Sequence, residues 1–213
     1  MLSEPSPRAS RAASAISSSV ECGDTSVPSA APPCFAFFQG TSMATPHLAG
    51  SAAVVSWAHP AWSSAQVRSA VVNTADVGTL RRSTGTGFET NVNVIGAGRE
   101  NLLSAVGASV ALEPVSVSFG AVPSGSGQTR TFDVEVSDLT GSGGTWEVSV
   151  GAGGGGVAWS VFPSLLSLGA NGTAKVTVTM QAEKGAAPGG HQTTLTLGSG
   201  GGVAHAAVYA LIK

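Results

Sequence analysis

Charge is what this 213-residue chain has least of: ten Lys and Arg with 12 Asp and Glu make 10% of its residues, against roughly 25% in an ordinary soluble domain. The cations are thinly spread and the formal net charge is -2, so no basic stripe exists to neutralise phosphates, which argues against a nucleic-acid partner. A long apolar run is also missing. The longest, Ala44 to Ala58, is broken by Thr45, Pro46, His47, Gly50 and Ser56, well short of the ~20 residues that cross a bilayer. Nor does the opening MLSEPSPRASRAASAISSS contain the apolar core of a signal peptide. Scarce charge beside abundant Ser, Thr and Gly still suits an exported or cell-envelope protein, so the natural N-terminus is expected to lie outside this sequence, through truncation or a frame shift.

Cysteine is nearly absent too. Cys22 and Cys34 stand in a Pro- and Ser-rich segment where a bridge would close a short loop, and they are read as a disulfide. No second Cys or His pair stands at zinc spacing, and no metal or cofactor is assigned. The three lysines, Lys175, Lys184 and Lys213, lie far from any candidate nucleophile, which removes a Ser-Lys dyad. The H-E-x-x-H, P-loop and dinucleotide fingerprints do not occur.

The residues that are present fall into segments of different texture. Residues 1–33 show no sustained period and read as an irregular Ser- and Pro-rich remnant. From Cys34, CFAFFQ reads as a short aromatic strand, Gly40 breaks it, and Ser42 to Trp57 reads as a helix apolar all round, hence a buried one. Ser63 and Gln66 form a capping box before Val67, Val71 and Val72, which opens a second helix running to about Ala75. A Gly-containing loop leads to Val92–Ile95, to Gly96-Ala97-Gly98, and to a short helix through Leu102, Leu103 and Val106. Past Pro114 the period becomes two. Seven short strands, beginning near Val115, Phe132, Trp146, Val157, Val176, Thr193 and Val203, predict an antiparallel sandwich cored by Phe119, Phe132, Val134, Trp146, Val148, Val176 and Val178. The Gly151–Gly156 and Gly198–Gly202 tracts are expected as hairpin loops.

The segment with chemistry in it is Gly40-Thr41-Ser42-Met43-Ala44-Thr45-Pro46-His47-Leu48-Ala49-Gly50. A serine at the mouth of a helix after a Gly turn has an exposed hydroxyl and an N–H free to hold an oxyanion; the plain alternative is that Ser42 is only a helix cap. The string resembles the nucleophile motif of the subtilisin-like serine proteases. Ala58-His59-Pro60-Ala61-Trp62, Asn73-Thr74-Ala75 and Gly96-Ala97-Gly98-Arg99 with Asn101 resemble the stretch downstream of that motif in the family, so the likeness covers about Val20 to Val106.

The resemblance implies a partial α/β subtilisin-like domain with its N-terminal portion missing, at 34–110, and peptide hydrolysis through an acyl-enzyme on Ser42, whose N–H is one oxyanion donor. Gly40 permits the turn, Thr41 and Met43 complete the motif, and Pro46 is placed in the first helical turn, where its missing N–H does no harm. The Asp, the His base and the oxyanion Asn of the family lie further upstream than this sequence reaches, so the chain alone is expected to be inactive. His47, five residues on, falls about 140° around the helix from Ser42 and is expected to pack the helix; His59 is expected to pack or cap, and Asp24 and Asp76 to be solvated or capping. Structural calcium is common in the family, but no site for it can be placed here. Residues 111–213, opening Glu113-Pro114-Val115-Ser116-Val117-Ser118-Phe119-Gly120, resemble an immunoglobulin or fibronectin-III-like accessory sandwich with no catalytic constellation and no identifiable partner. Two functions are open: part of an exported endopeptidase acting on protein or peptide, or a non-catalytic sandwich module carrying a degenerate protease remnant.

Overall fold

The structure is a computed structural model that describes residues 16–20, 22, 34–38, 40–82, 84–123, 127–199 and 202–213. The chain divides into two compact units, 1–50 and 51–213.

In the first unit β1 (Ile16–Ser19) pairs antiparallel with β2 (Phe35–Phe38). Cys22 and Cys34 are disulfide-bonded with Cα atoms 5.2 Å apart, and the Val20 N–H donates to the Cys34 carbonyl at 2.9 Å. The strand at Ile16–Ser19 corrects the reading of 1–33 as wholly irregular. Its ISSS carries almost no apolar alternation, so only pairing with the aromatic β2 makes it a strand. Helix α1 (Thr41–Ala58) begins in this unit and continues into the next. Gly40 sets its start at φ 133°, a conformation closed to residues with a Cβ.

Within the second unit, α2 (Ser64–Asn73) opens with the expected capping box: the Gln66 N–H donates to Ser63 Oγ and the Ser63 N–H to Gln66 Oε1. Short helices α3 (Val92–Ile95) and α4 (Leu102–Val106) come next, each capped by an asparagine, Asn91 and Asn101. Val55, Val67, Ala70, Val71 and Ala105 form a small helical core. Elsewhere α1 is far from buried: in this unit Val54 is exposed and Trp57 keeps 85% of its surface, and in the first unit Leu48 is exposed as well. The expectation of a buried helix is thereby corrected, since an all-round apolar sequence is buried only where partners exist to cover it.

Nine strands make up the rest: β3 (Val110–Glu113), β4 (Val117–Val122), β5 (Gln128–Asp138), β6 (Gly144–Val150), β7 (Val157–Phe162), β8 (Leu165–Leu168), β9 (Thr173–Ala182), β10 (Gly189–Ser199) and β11 (Gly202–Ile212). They form a sandwich with sheet orders β4-β11-β10-β6-β8 and β3-β5-β9-β7. Inward-facing Leu112, Val134, Val136, Trp146, Val176, Val178, Leu195 and Leu197 close its core, with Phe132 partly buried at the side. Three expectations are corrected. β3 and β8 add to the seven anticipated strands; β4 runs parallel to β11, so the sandwich is not purely antiparallel; and the Gly151–Gly156 tract is no hairpin but carries the chain from β6 in one sheet to β7 in the other.

Helix α2 is fastened to this sandwich by buried polar groups. Ser69 Oγ accepts the Leu112 N–H at 2.7 Å and donates to Asn73 Oδ1 at 2.8 Å. Asn73 Nδ2 in turn donates to the carbonyls of Val115 and His205 at 2.8 and 2.7 Å. Both side chains are fully buried, so every bond they make replaces one to water.

Candidate active site

Ser42 is the second residue of α1 and is exposed. The Met43 and Ala44 N–H groups both donate to the Gly40 carbonyl, at 3.1 and 3.2 Å. The Ser42 hydroxyl and N–H have no partner among the described residues. Because Gly40 rather than Ser42 occupies the capping position, the hydroxyl is not spent on closing the first turn, and an N–H at the positive end of an 18-residue helix points its dipole outward. Such a pair can attack a carbonyl and hold the resulting oxyanion once a base removes the hydroxyl proton.

Thr41 and Met43 flank it, Met43 half-buried and Thr41 exposed; the Thr41 carbonyl accepts the Thr45 hydroxyl at 2.9 Å. Pro46 stands elsewhere than expected. It is the sixth residue of the helix, past the first turn, and its missing N–H deprives the Ser42 carbonyl of its i+4 donor.

His47 is exposed and unbonded among the described residues, so the packing role expected for it is not seen there. His59 does pack and cap: its ring stacks on Trp62 at 3.7 Å and its Nε2 meets the Val106 carbonyl at 2.7 Å. His191 faces the Gly154 and Ala187 carbonyls, and His205 that of Ala97.

Asp24 lies outside the described residues. Asp76, expected to be solvated or capping, binds the Gly-x-Gly element. Its carboxylate accepts from Asn101 Nδ2 at 2.9 Å and from Arg99 at 3.3 Å, while its backbone exchanges both bonds with Arg99. The Asn101 amide and then the Arg99 guanidinium hold the Asp76 carboxyl below the usual carboxylate range. A side chain on Gly98, at φ 126°, would collide with the Asp76 carbonyl, which is why glycine stands there. Sequence reasoning missed this clamp, whose members lie 23 and 25 residues apart. Among the described residues no cluster of His, Cys, Asp or Glu could hold a metal ion, and no helix is long and apolar enough to cross a membrane.

Ser42 is thus exposed at the mouth of a Gly-started helix, with a capped helix and a Gly-x-Gly clamp downstream. The subtilase family model matches residues 12–100. Over 100 residues the chain is 39% identical to the minor extracellular protease Vpr of Bacillus subtilis, covering 46% of this chain and 12% of that protein. It is 56% identical over 41 residues to the alkaline elastase YaB of a Bacillus species, covering 19% and 11%, and 54% identical over 41 residues to subtilisin Savinase of Lederbergia lenta, covering 19% and 15%. Residues 12–100 are thus related to subtilisin-like serine proteases, and the chain spans less than a fifth of the length of each of these relatives.

The chain is also similar to the human CEP192 PapD-like domain 7, at 13% identity and TM-score 0.38, covering 50% of this chain and 86% of that one. It is also similar to the Caenorhabditis elegans MSP family member WR4, at 12% identity and TM-score 0.34, covering 50% and 99%.

Proposed function

We propose that this chain is the serine-bearing, C-terminal part of a secreted subtilisin-like endopeptidase, with Ser42 as nucleophile and its N–H as one oxyanion donor. The hydroxyl oxygen would attack the scissile carbonyl, the amine would leave, and water would hydrolyse the ester. The observation that carries this reading is the exposed Ser42 hydroxyl, unused by the cap, within the stretch that the subtilase family model matches. The division into a peptidase part at 34–110 and an accessory sandwich at 111–213 belongs to the same proposal, as do the kinship of that sandwich with fibronectin-III-like modules and an extracellular or cell-envelope site of action.

On this reading the chain by itself is inactive, because a neutral hydroxyl is a weak nucleophile without a positioned base, and the base of a subtilisin-like domain belongs to segments other than those this chain resembles. The full chain, incubated with casein and with a fluorophosphonate probe, should show no turnover and no labelling of Ser42. Labelling at a rate near that of an intact subtilase would overturn the inactivity. Adding a polypeptide that carries the Asp and His segments of a subtilisin-like domain should restore labelling of Ser42 but not of a Ser42→Ala variant. Its failure to do so with a folded complex would count against Ser42 as nucleophile.

A further inference from the structure

We propose that Asn171 is a site of spontaneous covalent modification, deamidation through its junction with Gly172, held in check by Asp138 and loosening the corner around Asp138 once it has occurred. Asn171-Gly172 is the one Asn-Gly pair in the sequence. In this reaction the backbone nitrogen of the following residue attacks the asparagine carboxamide, and glycine obstructs that approach least. The fold itself calls for the pair. Residues 169–172 make the turn from β8 to β9, closed by the Gly172 N–H donating to the Gly169 carbonyl at 2.9 Å. A Cβ on Gly172 would lie 2.9 Å from that carbonyl oxygen, so the turn keeps position 172 free of a side chain. Asn171 has φ 53°, a left-handed conformation that glycine and asparagine adopt readily. Its side chain is exposed, with Oδ1 beside Gly141, and makes no hydrogen bond among the described residues. Glycine would therefore serve the turn as well; asparagine adds the electrophile.

For the reaction to run, Asn171 must rotate until its Cγ lies over the Gly172 nitrogen, and that nitrogen must give up its proton. The native turn resists both. On one side of Asn171 its own N–H donates to Asp138 Oδ2 at 2.9 Å. On the other, the Gly172 N–H is spent on the Gly169 carbonyl, and the Gly172 carbonyl accepts the Asp138 N–H at 2.9 Å. The two soft torsions of Asn171 lie between these anchored peptide groups, so neither can swing without breaking a bond. Asp138, the last residue of β5, grips the pair twice, through its carboxylate and through its backbone. The route to modification therefore passes through local opening of this corner, and the fraction of time spent open scales the rate.

Once the corner opens, the Gly172 nitrogen bonds to Asn171 Cγ and the bond from Cγ to the carboxamide nitrogen breaks. That nitrogen leaves as ammonia, carrying the proton that Gly172 gave up. Water then opens the five-membered imide at one of its two carbonyls. Opening at Cγ yields aspartate; opening at the main-chain carbonyl yields isoaspartate, whose backbone runs through the former side chain. Nothing is oxidised or reduced. Either product brings a negative charge to a corner that already holds the buried Asp138 carboxylate, and like charges so placed repel. Isoaspartate also inserts one carbon between the N–H that serves Asp138 Oδ2 and the Gly172 groups that complete the turn. The modification thus weakens the restraint that delayed it, and the change is one-way.

The test is to age the full chain in mildly alkaline buffer, native and in guanidinium chloride, and to follow residue 171 by peptide mapping that separates aspartate from isoaspartate. Both products are expected, forming about tenfold or more faster in guanidinium than in the native chain. Asp138→Asn, measured while folded, should raise the native rate by about tenfold. In the wild type, product formation should rise through sub-denaturing guanidinium in step with amide exchange at Gly172, a measurement that needs no variant. The aged chain should melt lower than the fresh one, whereas Asn171→Gly, which keeps the turn, should gain no charge at this position and hold its melting temperature. Equal rates in the native and unfolded chains overturn the proposal, as does a lack of product at residue 171 in guanidinium. A folded Asp138→Asn chain that reacts at the wild-type rate overturns the role of Asp138, and a fully modified chain that melts like the fresh one overturns the loosening.

Discussion

Asp138 shows how one buried residue can organise a corner of the sandwich. It ends β5 with only 4% of its surface exposed, and its carboxylate accepts from the Thr140 N–H and hydroxyl, at 2.9 and 2.7 Å, and from the Gly143 and Asn171 N–H groups at 2.9 Å. Burial alone pushes its acidity toward the neutral form, but these donors outweigh it, and the carboxyl lies below the usual range. A group whose folded pKa is depressed contributes stability that is complete above its unfolded value, about 3.9, and that is lost as pH falls through the folded value. Asp138→Asn turns an amide NH₂ toward donors, so it should cost about 1–3 kcal/mol at neutral pH. The gap in melting temperature between wild type and variant should narrow as pH falls below about 4. A gap independent of pH would show that the carboxylate charge is not what holds the corner.

At the scale of elements, the same polar chemistry joins helix to sheet. Ser69 and Asn73 lie on α2, yet they complete β3 and reach β11, so their substitution belongs to strands as much as to the helix. Ser69→Ala orphans the buried Leu112 N–H and should destabilise the chain by about 1–3 kcal/mol. Asn73→Ala leaves the Val115 and His205 carbonyls unpaired at similar cost. Since the two share one network, the double variant should lose less than the sum of the singles in urea denaturation; strict additivity would mean that the network is not a unit.

These elements also show how much could be read in advance. The capping box at Ser63 and Gln66, the alternation of β5, β6 and β9, and the helix opened by Gly40 rest on neighbours within four residues or on a strict period, and all were legible. β3 and β8 were not: VALE and LLSL are four-residue runs that become strands through pairing. Nor could the roles of Ser69 and Asn73 be seen, because their partners stand 42 to 132 residues away and a polar residue on a helix ordinarily reads as its wet side. Ser42 was legible as a motif, while Pro46, the fifth residue even of a helix begun at Ser42, lies past the first 3.6-residue turn whichever of the two residues starts the helix.

In the whole molecule, the boundary suggested by the change of period near Pro114 is bridged by packing and hydrogen bonds within the second unit. Helix α2 lies against β3, the Gln192 side chain of β10 bonds the Val92 N–H and the Thr90 carbonyl, and His205 of β11 meets the Ala97 carbonyl. A cut beside the exposed Arg81 and Arg82 should therefore sever the chain without parting its halves. Arg81 and Arg82 are exposed there, and brief trypsin treatment should cleave after them first, since loop backbone adapts to a protease more readily than helix or strand. The piece ending at residue 82 carries α2 with Ser69 and Asn73, and the piece from 83 carries β3, β4 and β11, which bond them. Under native conditions the two should co-elute on gel filtration and separate only in urea, because parting would expose the buried network and the core of Val67, Ala70, Val71 and Ala105 to water. Should the 83–213 piece instead elute alone, folded, without denaturant, the sandwich would be independent of the helices and the packing of α2 on β3 too weak to join them.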